Sequence, residues 1–272
     1  MGIPMSSVSV LVLRAAGINC DFESLHAFET AGADRVDHIH LNEFIGGRAI
    51  LDRYDILVLS GGFSYGDDIS GGKVLANELV YRLMDQIDTF VGKGKLILGI
   101  CNGFQVLMKM GLLPQTSPGE RSQEATVFYN DSGKFECRWV HLAINERSPC
   151  VFTQNMPDSI YVPVANAEGK VVTKSAKVLC DLQVGEHVAL RYMDPTKTGG
   201  DSSDVAYPWS PNGSVAAIAG LCDTTGRIFG LMPHPERFIH RTQHPSWTRR
   251  PDAREPDGLY IFQNAVTYAR GS

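Results

Sequence analysis

The sequence has few cysteines, little excess charge and no long hydrophobic run, and each of these absences excludes a class of protein. Its six cysteines, at positions 20, 101, 137, 150, 180 and 222, are too sparse for a disulfide scaffold and form no Cys-x-x-Cys pair, so reduced thiols are expected. A net charge of -5 offers no basic surface for nucleic acid. The apolar run at residues 8–13 is too short for a membrane span and lacks the basic flank of a signal peptide. These features predict a soluble, cytoplasmic protein that binds neither nucleic acid nor membranes.

Length and composition fit one α/β domain. The 272 residues, 43% of them hydrophobic, can bury one substantial core, and we find no internal repeat, low-complexity tract or interdomain linker. We therefore expect a single domain over residues 1–272. In the first half, short apolar strands alternate with amphipathic helices, which is typical of a parallel sheet with crossover helices. The strands are predicted at residues 9–13, 36–40, 56–60 and 96–100, and the helices at residues 21–31 and 76–91.

The chain after Pro114 consists of short strands and turns, which are expected to extend the sheet on one side. Asn212-Gly213, between two apolar runs, predicts a tight hairpin turn. Residues 237–256 are polar and contain prolines, which indicates a surface excursion before a closing helix at residues 259–270. The strands of this second half are predicted at residues 135–144, 160–164, 187–192, 215–219 and 227–231.

One cysteine lies on a sharp turn between an apolar strand and a helix predicted at residues 102–110. The local sequence is Gly99-Ile100-Cys101-Asn102-Gly103. A thiol there meets the free N–H groups and the positive dipole end of the helix, which favour the nucleophilic thiolate. The flanking glycines let the chain turn without a Cβ clash, as in the nucleophile elbow of serine hydrolases. Cys101 is therefore the candidate nucleophile.

A His-Pro-Glu sequence far downstream supplies the base that a cysteine nucleophile requires. Pro235 pushes His234 into an extended conformation, and in an extended chain residues i and i+2 point to the same side. We therefore expect the Glu236 carboxylate to reach and orient the ring of His234.

The remaining cysteines and histidines have simpler interpretations. An isolated buried cysteine is usually a small core residue, and we assign that role to the five cysteines other than Cys101. The histidines at positions 26, 38, 40, 141, 187, 240 and 244 are interpreted as surface or structural residues. Gly61 and Gly62 alone would indicate only a turn after a strand, but beside a cysteine nucleophile their N–H groups favour an oxyanion hole.

Three segments together resemble the class I, or triad, glutamine amidotransferases: the Cys101 turn, His-Pro-Glu, and Ser-Gly-Gly-Phe-Ser-Tyr-Gly-Asp at residues 60–67. Asn-Gly-Phe-Gln at residues 102–105 and Pro-Asn-Gly-Ser at residues 211–214 are most similar to the glutaminase subunits of phosphoribosylformylglycinamidine synthase, from de novo purine synthesis. The resemblance covers nearly the whole chain. It implies a flavodoxin-like α/β fold, with a central, mostly parallel sheet flanked by helices and extended by antiparallel strands.

The resemblance also implies a glutaminase with Cys101, His234 and Glu236 as its catalytic triad. Cys101 would attack the side-chain amide of glutamine, while the backbone N–H groups of Gly62 and Asn102 hold the charge on the amide oxygen. His234 would protonate the departing ammonia and then activate water against the thioester. By the same resemblance, contacts to glutamine or to the partner subunit are assigned to Phe63, Ser64, Tyr65, Gln105 and Glu168.

The second half of the reaction requires a partner. The sequence has no Gly-x-x-x-x-Gly-Lys-Ser/Thr loop and no carboxylates spaced to hold Mg²⁺ against ATP, so we expect no cofactor and no metal in this chain. The resemblance implies that ammonia passes to a separate synthetase subunit, with a small accessory subunit as a further partner. The synthetase uses ATP and Mg²⁺ to convert formylglycinamide ribonucleotide to its amidine.

Two positions depart from the pattern of the family, because Asn166 replaces a common histidine and Ser210 replaces a common asparagine. Neither belongs to the triad. Three alternatives remain open on sequence alone: a glutaminase that feeds another synthetase, a free-standing cysteine hydrolase, and a non-catalytic regulatory subunit. The last is disfavoured because the three triad residues are all present.

Overall fold

The computed structural model of the protein describes residues 7–116, 121–197, 203–249 and 256–271. The α-helices of these ranges are α1 Asp21–Thr30, α2 Leu41–Ile45, α3 Lys73–Gly92, α4 Asn102–Lys109, α5 Ala176–Val184 and α6 Leu259–Gly271. The strands are β1 Ser9–Arg14, β2 Arg35–His40, β3 Ile56–Leu59, β4 Leu96–Ile100, β5 Ala125–Tyr129, β6 Glu136–Ile144, β7 Ser159–Asn166, β8 Glu168–Thr173, β9 Val188–Met193, β10 Ile218–Cys222 and β11 Ile228–Leu231.

Nine of these strands form one sheet, in the order β2-β1-β3-β4-β11-β10-β9-β6-β7. The pairs from β2 through β11 are parallel, and the pairs from β11 through β7 are antiparallel. Strands β5 and β8 pair separately as a two-stranded antiparallel sheet. The expected α/β fold is confirmed, with its antiparallel strands added on one side.

The order of the strands places the loops of the site together. Helix α1 leads from β1 to β2 in one direction along the sheet, and α3 leads from β3 to β4 in the other, so right-handed crossovers put them on opposite faces. With both faces covered, β3, β4 and β11 are buried along their whole length. The carboxyl ends of β1, β3, β4 and β11 therefore lie side by side, and in such sheets this edge is where binding sites form.

Two predictions in the second half of the chain are wrong. Asn212-Gly213 does not close a hairpin, because no strand of the described ranges ends just before it. Asn212 is fully buried instead, and its amide donates a hydrogen bond to the hydroxyl of Tyr192 at 2.9 Å. The strand expected at residues 215–219 begins only at Ile218, because Val215–Ala217 form a 3₁₀ turn. The small β5/β8 sheet and helix α5 were not predicted.

The other local predictions have mixed outcomes. Cys137 and Cys180 are exposed, which contradicts their assignment to the core, whereas Cys20, Cys150 and Cys222 are buried. Residues 237–249 form mostly exposed turns held by the buried His244, and residues 250–255 of the expected excursion lie outside the described residues. In the described ranges, no helix combines the length and the apolar character needed to cross a membrane.

Candidate active site

Cys101 occupies the sharp turn that its sequence predicts. It follows directly on β4 and precedes α4, with φ 52° and ψ -105°, a left-handed conformation that is uncommon for a residue with a side chain. Its own N–H donates to the carbonyl of Leu231 in the neighbouring strand β11, at 2.8 Å. Backbone strain of this kind concentrates at functional sites, and here it points the thiol into a cavity at the edge of the sheet.

The helix behind Cys101 packs very close to the sheet. A Cβ atom at Gly103 would overlap the carbonyl oxygen of Leu59 at the end of β3, so only glycine allows this approach. The first N–H group of α4 belongs to Asn102, and the first turn of a helix has no internal acceptors for such groups. The close packing therefore brings unsatisfied N–H groups and the positive end of the helix dipole to the carboxyl edge of the sheet, next to the thiol.

His234 and Glu236 form the expected pair. Nδ1 of His234 and Oε1 of Glu236 are 2.6 Å apart, and both side chains are buried. The extended conformation predicted for this segment extends only to His234, since Pro235–Arg237 form a 3₁₀ turn, which still directs the carboxylate at the ring. Burial opposes a charged imidazole, but the Glu236 carboxylate, and after it the Cys101 thiol, outweigh burial and raise the pKa of His234 well above its usual range.

The geometry leaves one ring nitrogen for chemistry. Glu236 occupies Nδ1, while Nε2 is buried and makes no hydrogen bond to any described residue. An ideal Cβ built on Gly61 would lie 2.9 Å from Cε1 of His234 and 3.4 Å from Cβ of Cys101, so the ring and the cysteine face each other across this glycine. The three members of the predicted triad therefore lie together at one point of the sheet edge.

The glycine loop after β3 is held by backbone bonds from a neighbouring segment. The carbonyl of Gly61 accepts the N–H groups of Asn19 at 3.3 Å and Cys20 at 3.2 Å, and the N–H of Phe63 donates to the carbonyl of Gly17 at 2.9 Å. The N–H of Gly62 takes no part in these bonds, and Gly62 lines the cavity beside Cys101. The loop therefore offers the amide that an oxyanion hole needs.

The side chain of Asn102 connects α4 to the same loop. Its Oδ1 accepts the N–H of Ser64 at 3.2 Å, and its Nδ2 donates to Asp67 Oδ1 and to Gln105 Oε1, each at 2.9 Å. Burial raises the pKa of Asp67, although the donors from Gly72 and Asn102 act in the opposite direction. The sequence analysis assigned a role only to the backbone N–H of Asn102. The bonds of its side chain are revealed by the structure.

Glu168 joins the network at the start of β8. Its carbonyl accepts a bond from Gln105 Nε2 at 2.8 Å, and its carboxylate accepts the N–H of Gly71 at 3.2 Å. The neighbouring Asn166, one of the two departures from the family pattern, is buried with both amide atoms unpartnered among the described residues. Glu168 thus connects the wall of the cavity to α4 and to the segment that precedes α3.

A cavity of about 300 Å³ lies between these groups. Cys101, His234, Gly62, Phe63, Gln105 and Glu168 all line it. Ser64 and Tyr65, which were also assigned to the substrate, lie outside its wall, and Ser64 is buried behind it. The remaining lining residues are Asn19, Cys20, Asp67, Phe135, Cys137, Ala165, Asn166, Ala167 and Arg237.

Sequence reasoning missed Cys20 and Arg237. Cys20 is buried as predicted for a core residue, yet its sulfur lies in the site, 3.0 Å from Nη2 of Arg237. The sequence offered a signal for each residue. Cys20 follows the carboxyl end of β1, where sites gather, and Arg237 directly follows the triad candidate Glu236. The two residues are 217 positions apart, so no local pattern pairs them.

One group of side chains in the described ranges has the composition of a metal site. Cys20, His234 and Glu236 offer ligand atoms that lie within 4.8 Å of one another. The Cys20 sulfur already accepts a bond from the cationic Arg237, and Glu236 is bonded to the ring of His234. A positive guanidinium at 3.0 Å opposes a second cation at the same sulfur, so this group is better explained by the triad than by a metal centre.

Comparisons with known proteins agree with this geometry. The model of the CobB/CobQ-like glutamine amidotransferase domain matches residues 7–269. The chain is 46% identical to the phosphoribosylformylglycinamidine synthase subunit PurQ of Dehalococcoides mccartyi, over 98% of this chain and 99% of the relative. It is 41% identical to the PurQ subunit of Methanococcus maripaludis, over 95% and 96%.

Solved structures similar to this chain include PurLQS and a glutamine amidotransferase. The chain is similar to one in the structure of PurLQS from Thermotoga maritima, with 32% identity, a TM-score of 0.71 and coverage of 97% of this chain and 99% of that one. A glutamine amidotransferase from the same organism, at 17% identity and a TM-score of 0.55 over 98% and 100%, shares the fold. The chain therefore belongs to the CobB/CobQ-like glutamine amidotransferases and, among them, to the family of the phosphoribosylformylglycinamidine synthase subunit PurQ.

Proposed function

We propose that this chain is the glutaminase subunit of a phosphoribosylformylglycinamidine synthase, which releases ammonia from glutamine for a synthetase subunit. The observation that carries the proposal is the meeting of Cys101, in a strained turn, with His234, held by Glu236, at one cavity. Nearly full-length similarity to PurQ subunits supports this choice over a glutaminase for another synthetase and over a free-standing hydrolase.

In the first half of the reaction, Cys101 attacks the side-chain amide carbon of glutamine. The charge that develops on the amide oxygen is stabilised by the N–H groups of Gly62 and Asn102, and one missing donor of this kind costs roughly 10²–10³ in rate. The C–N bond then breaks, and Nε2 of His234 gives its proton to the departing nitrogen. The products are ammonia and a thioester on Cys101.

In the second half, the neutral ring of His234 takes a proton from water, and the resulting hydroxide equivalent attacks the thioester carbon. Collapse of the intermediate releases glutamate and restores Cys101. Glu236 keeps the proton on Nδ1 during both halves, so that Nε2 serves first as acid and then as base. The buried carboxylate also stabilises the imidazolium that forms in between.

The ammonia passes to the synthetase subunit, which converts formylglycinamide ribonucleotide to formylglycinamidine ribonucleotide with ATP and Mg²⁺. A small accessory subunit is a further partner, and the similarity to a chain of PurLQS from Thermotoga maritima supports such an assembly. We propose that this chain itself uses no cofactor and acts in the cytoplasm, where purine synthesis takes place.

The test uses the reconstituted synthase with either glutamine or an ammonium salt as nitrogen source. Cys101→Ala should abolish glutamine-dependent synthesis and leave ammonium-dependent synthesis intact, because only the donor half of the reaction needs the thiolate. Glutamine-dependent synthesis at the wild-type rate in this variant would refute the proposal. Synthesis from the ammonium salt but not from glutamine, with the wild-type chain present, would exclude this synthase as its partner.

A further inference from the structure

A second thiol lies inside the site and has no part in the reaction described above. Cys20 occupies the N-cap position of α1, in the segment that connects β1 to this helix, and only 1% of its surface is exposed. Its sulfur lines the same cavity as Cys101. A cysteine that only filled the core would be surrounded by apolar groups, and this one is not.

Four polar side chains lie around the Cys20 sulfur. It accepts a hydrogen bond from Nη2 of Arg237 at 3.0 Å and lies 3.2 Å from Oδ1 of Asn19, which can accept its S–H. It also lies within 4.8 Å of the ligand atoms of His234 and Glu236. A thiol has one donor and a weak acceptor, so both capacities are used at once.

The Cys20 sulfur lies near the Cε1 atom of the His234 ring. The ideal Cβ position on Gly61 is 3.3 Å from the Cys20 sulfur and 2.9 Å from Cε1 of His234, so the sulfur and the ring edge flank the same point. The bond to Glu236 fixes one nitrogen of the ring but leaves the ring free to tilt about that bond. The Cys20 sulfur, on the side of Cε1, restricts this tilt.

We propose that Cys20 is a positioning residue for the glutaminase reaction, whose sulfur links Arg237 to the edge of the His234 ring and fixes the direction of Nε2. The inference rests on the proposed function. Charged and titratable groups around this sulfur are Arg237, His234, Glu236 and Cys101, and Glu23 acts on Arg237 from α1. The role predicts an effect on the chemical step rather than on glutamine binding.

Two substitutions at this position give opposite results under the two explanations. Cys20→Ser keeps a small group that accepts from Arg237 and donates to Asn19, whereas Cys20→Val fills the space with an apolar group. If Cys20 positions the ring, Ser should retain kcat within about threefold and Val should lower it at least about tenfold, because a misplacement of 1 Å can cost 10²-fold. KM for glutamine should stay within about twofold in both.

Cys150 provides a matched control, since it is also fully buried and lies away from the cavity. Cys150→Ser and Cys150→Val should leave glutaminase kcat unchanged, whatever they do to Tm. The Tm of each variant and its co-purification with the synthetase subunit report that the variant is folded and docked. Glutamine-dependent synthesis by the wild-type complex separates this test from the proposed function, which fails only if the wild-type chain itself supplies no ammonia from glutamine.

The expected order of kcat is wild type, then Cys20→Ser, then Cys20→Val, with KM nearly constant. A Val variant as active as the wild type would overturn the proposal and return Cys20 to the core. A loss in the Ser variant equal to or larger than the loss in the Val variant would overturn it as well, because the proposal requires the polar substitute, which keeps the bonds to Arg237 and Asn19, to be the better tolerated of the two.

Discussion

A single added methyl group at Gly61 should disable the glutaminase without unfolding the protein. Gly61 ends the turn after β3, and its φ is not in the left-handed region, so alanine meets no backbone strain there. Its Cβ, however, would lie 2.9 Å from Cε1 of His234, 3.3 Å from the Cys20 sulfur and 3.4 Å from Cβ of Cys101. The new methyl group therefore presses on three side chains of the site at once.

The size of the effect follows from the closest of these contacts. Ordinary carbon contacts begin at 3.4 Å, so the edge of the His234 ring has to move by about 0.5 Å. The 2.6 Å bond to Glu236 resists translation, and the ring therefore tilts about Nδ1 and swings Nε2 away from the reacting nitrogen. Since a misplacement of 1 Å can cost 10²-fold, we expect Gly61→Ala to lose roughly tenfold to 10²-fold in kcat.

The assay is steady-state glutaminase turnover in the assembled synthase, with Tm as the measure of folding and co-purification with the synthetase subunit as the measure of docking. Gly92→Ala is the matched control, because Gly92 lies in the last turn of α3 with no atom within 4 Å of an added Cβ. That control should keep full activity and gain up to about 1 kcal/mol of stability. Wild-type kcat in Gly61→Ala would refute the geometry of ring and cysteine described above.

Three further predictions concern the other parts of the site. Glu236→Gln should lose about two orders of magnitude less glutaminase activity than His234→Ala, and equal losses would assign Glu236 another role. Because Glu236 raises the pKa of His234, the Glu236→Gln variant should also lose the imidazolium of His234 at a lower pH than the wild type. Asn102→Ala, which removes the side-chain bonds to Ser64 and Asp67, should lower kcat about tenfold, and an unchanged kcat would show that the loop holds itself. The purified chain should hydrolyse glutamine poorly until the synthetase subunit and its nucleotide ligand are added, and equal turnover in both conditions would favour a free-standing hydrolase.

The triad could be predicted because each of its parts has a local signature. A cysteine between an apolar strand and a helix, flanked by glycines, has few structural solutions, and Cys101 adopts the expected one with φ 52°. His234 and Glu236 are two residues apart, so their contact depends on a short stretch of backbone rather than on the whole fold. To expect Cys101 and the Gly61-Gly62 loop at one edge of the sheet then required only the general rule that sites gather at the carboxyl ends of parallel strands.

The rest of the site depends on contacts that no local pattern reveals. The sulfur of Cys20 meets Arg237 only because β1 and β11 end at the same edge of the sheet. The Asn212-Gly213 prediction failed for a related reason: the composition of the dipeptide is typical of exposed turns, but Asn212 is fully buried and bonded to Tyr192, which lies 20 positions away. Local sequence thus predicts the residues proposed to react, and the tertiary fold decides which other side chains surround them.

The backbone of the glycine loop limits how a partner can regulate the site. The N–H of Gly62 belongs to the same planar peptide unit as the carbonyl of Gly61, so the one cannot turn without the other. That carbonyl accepts two N–H groups, from Asn19 and Cys20, and rotation of the unit breaks both bonds. At about 0.5–1.5 kcal/mol each, the rotation costs about 1–3 kcal/mol, which corresponds to a factor of about 5–150 in population. The arrangement with the Gly62 N–H free for the oxyanion is therefore already favoured by that factor, and rotation of this peptide offers almost no room for activation by a partner. A partner that activates the glutaminase would have to act on the loop beyond Phe63 or on the entrance of the cavity.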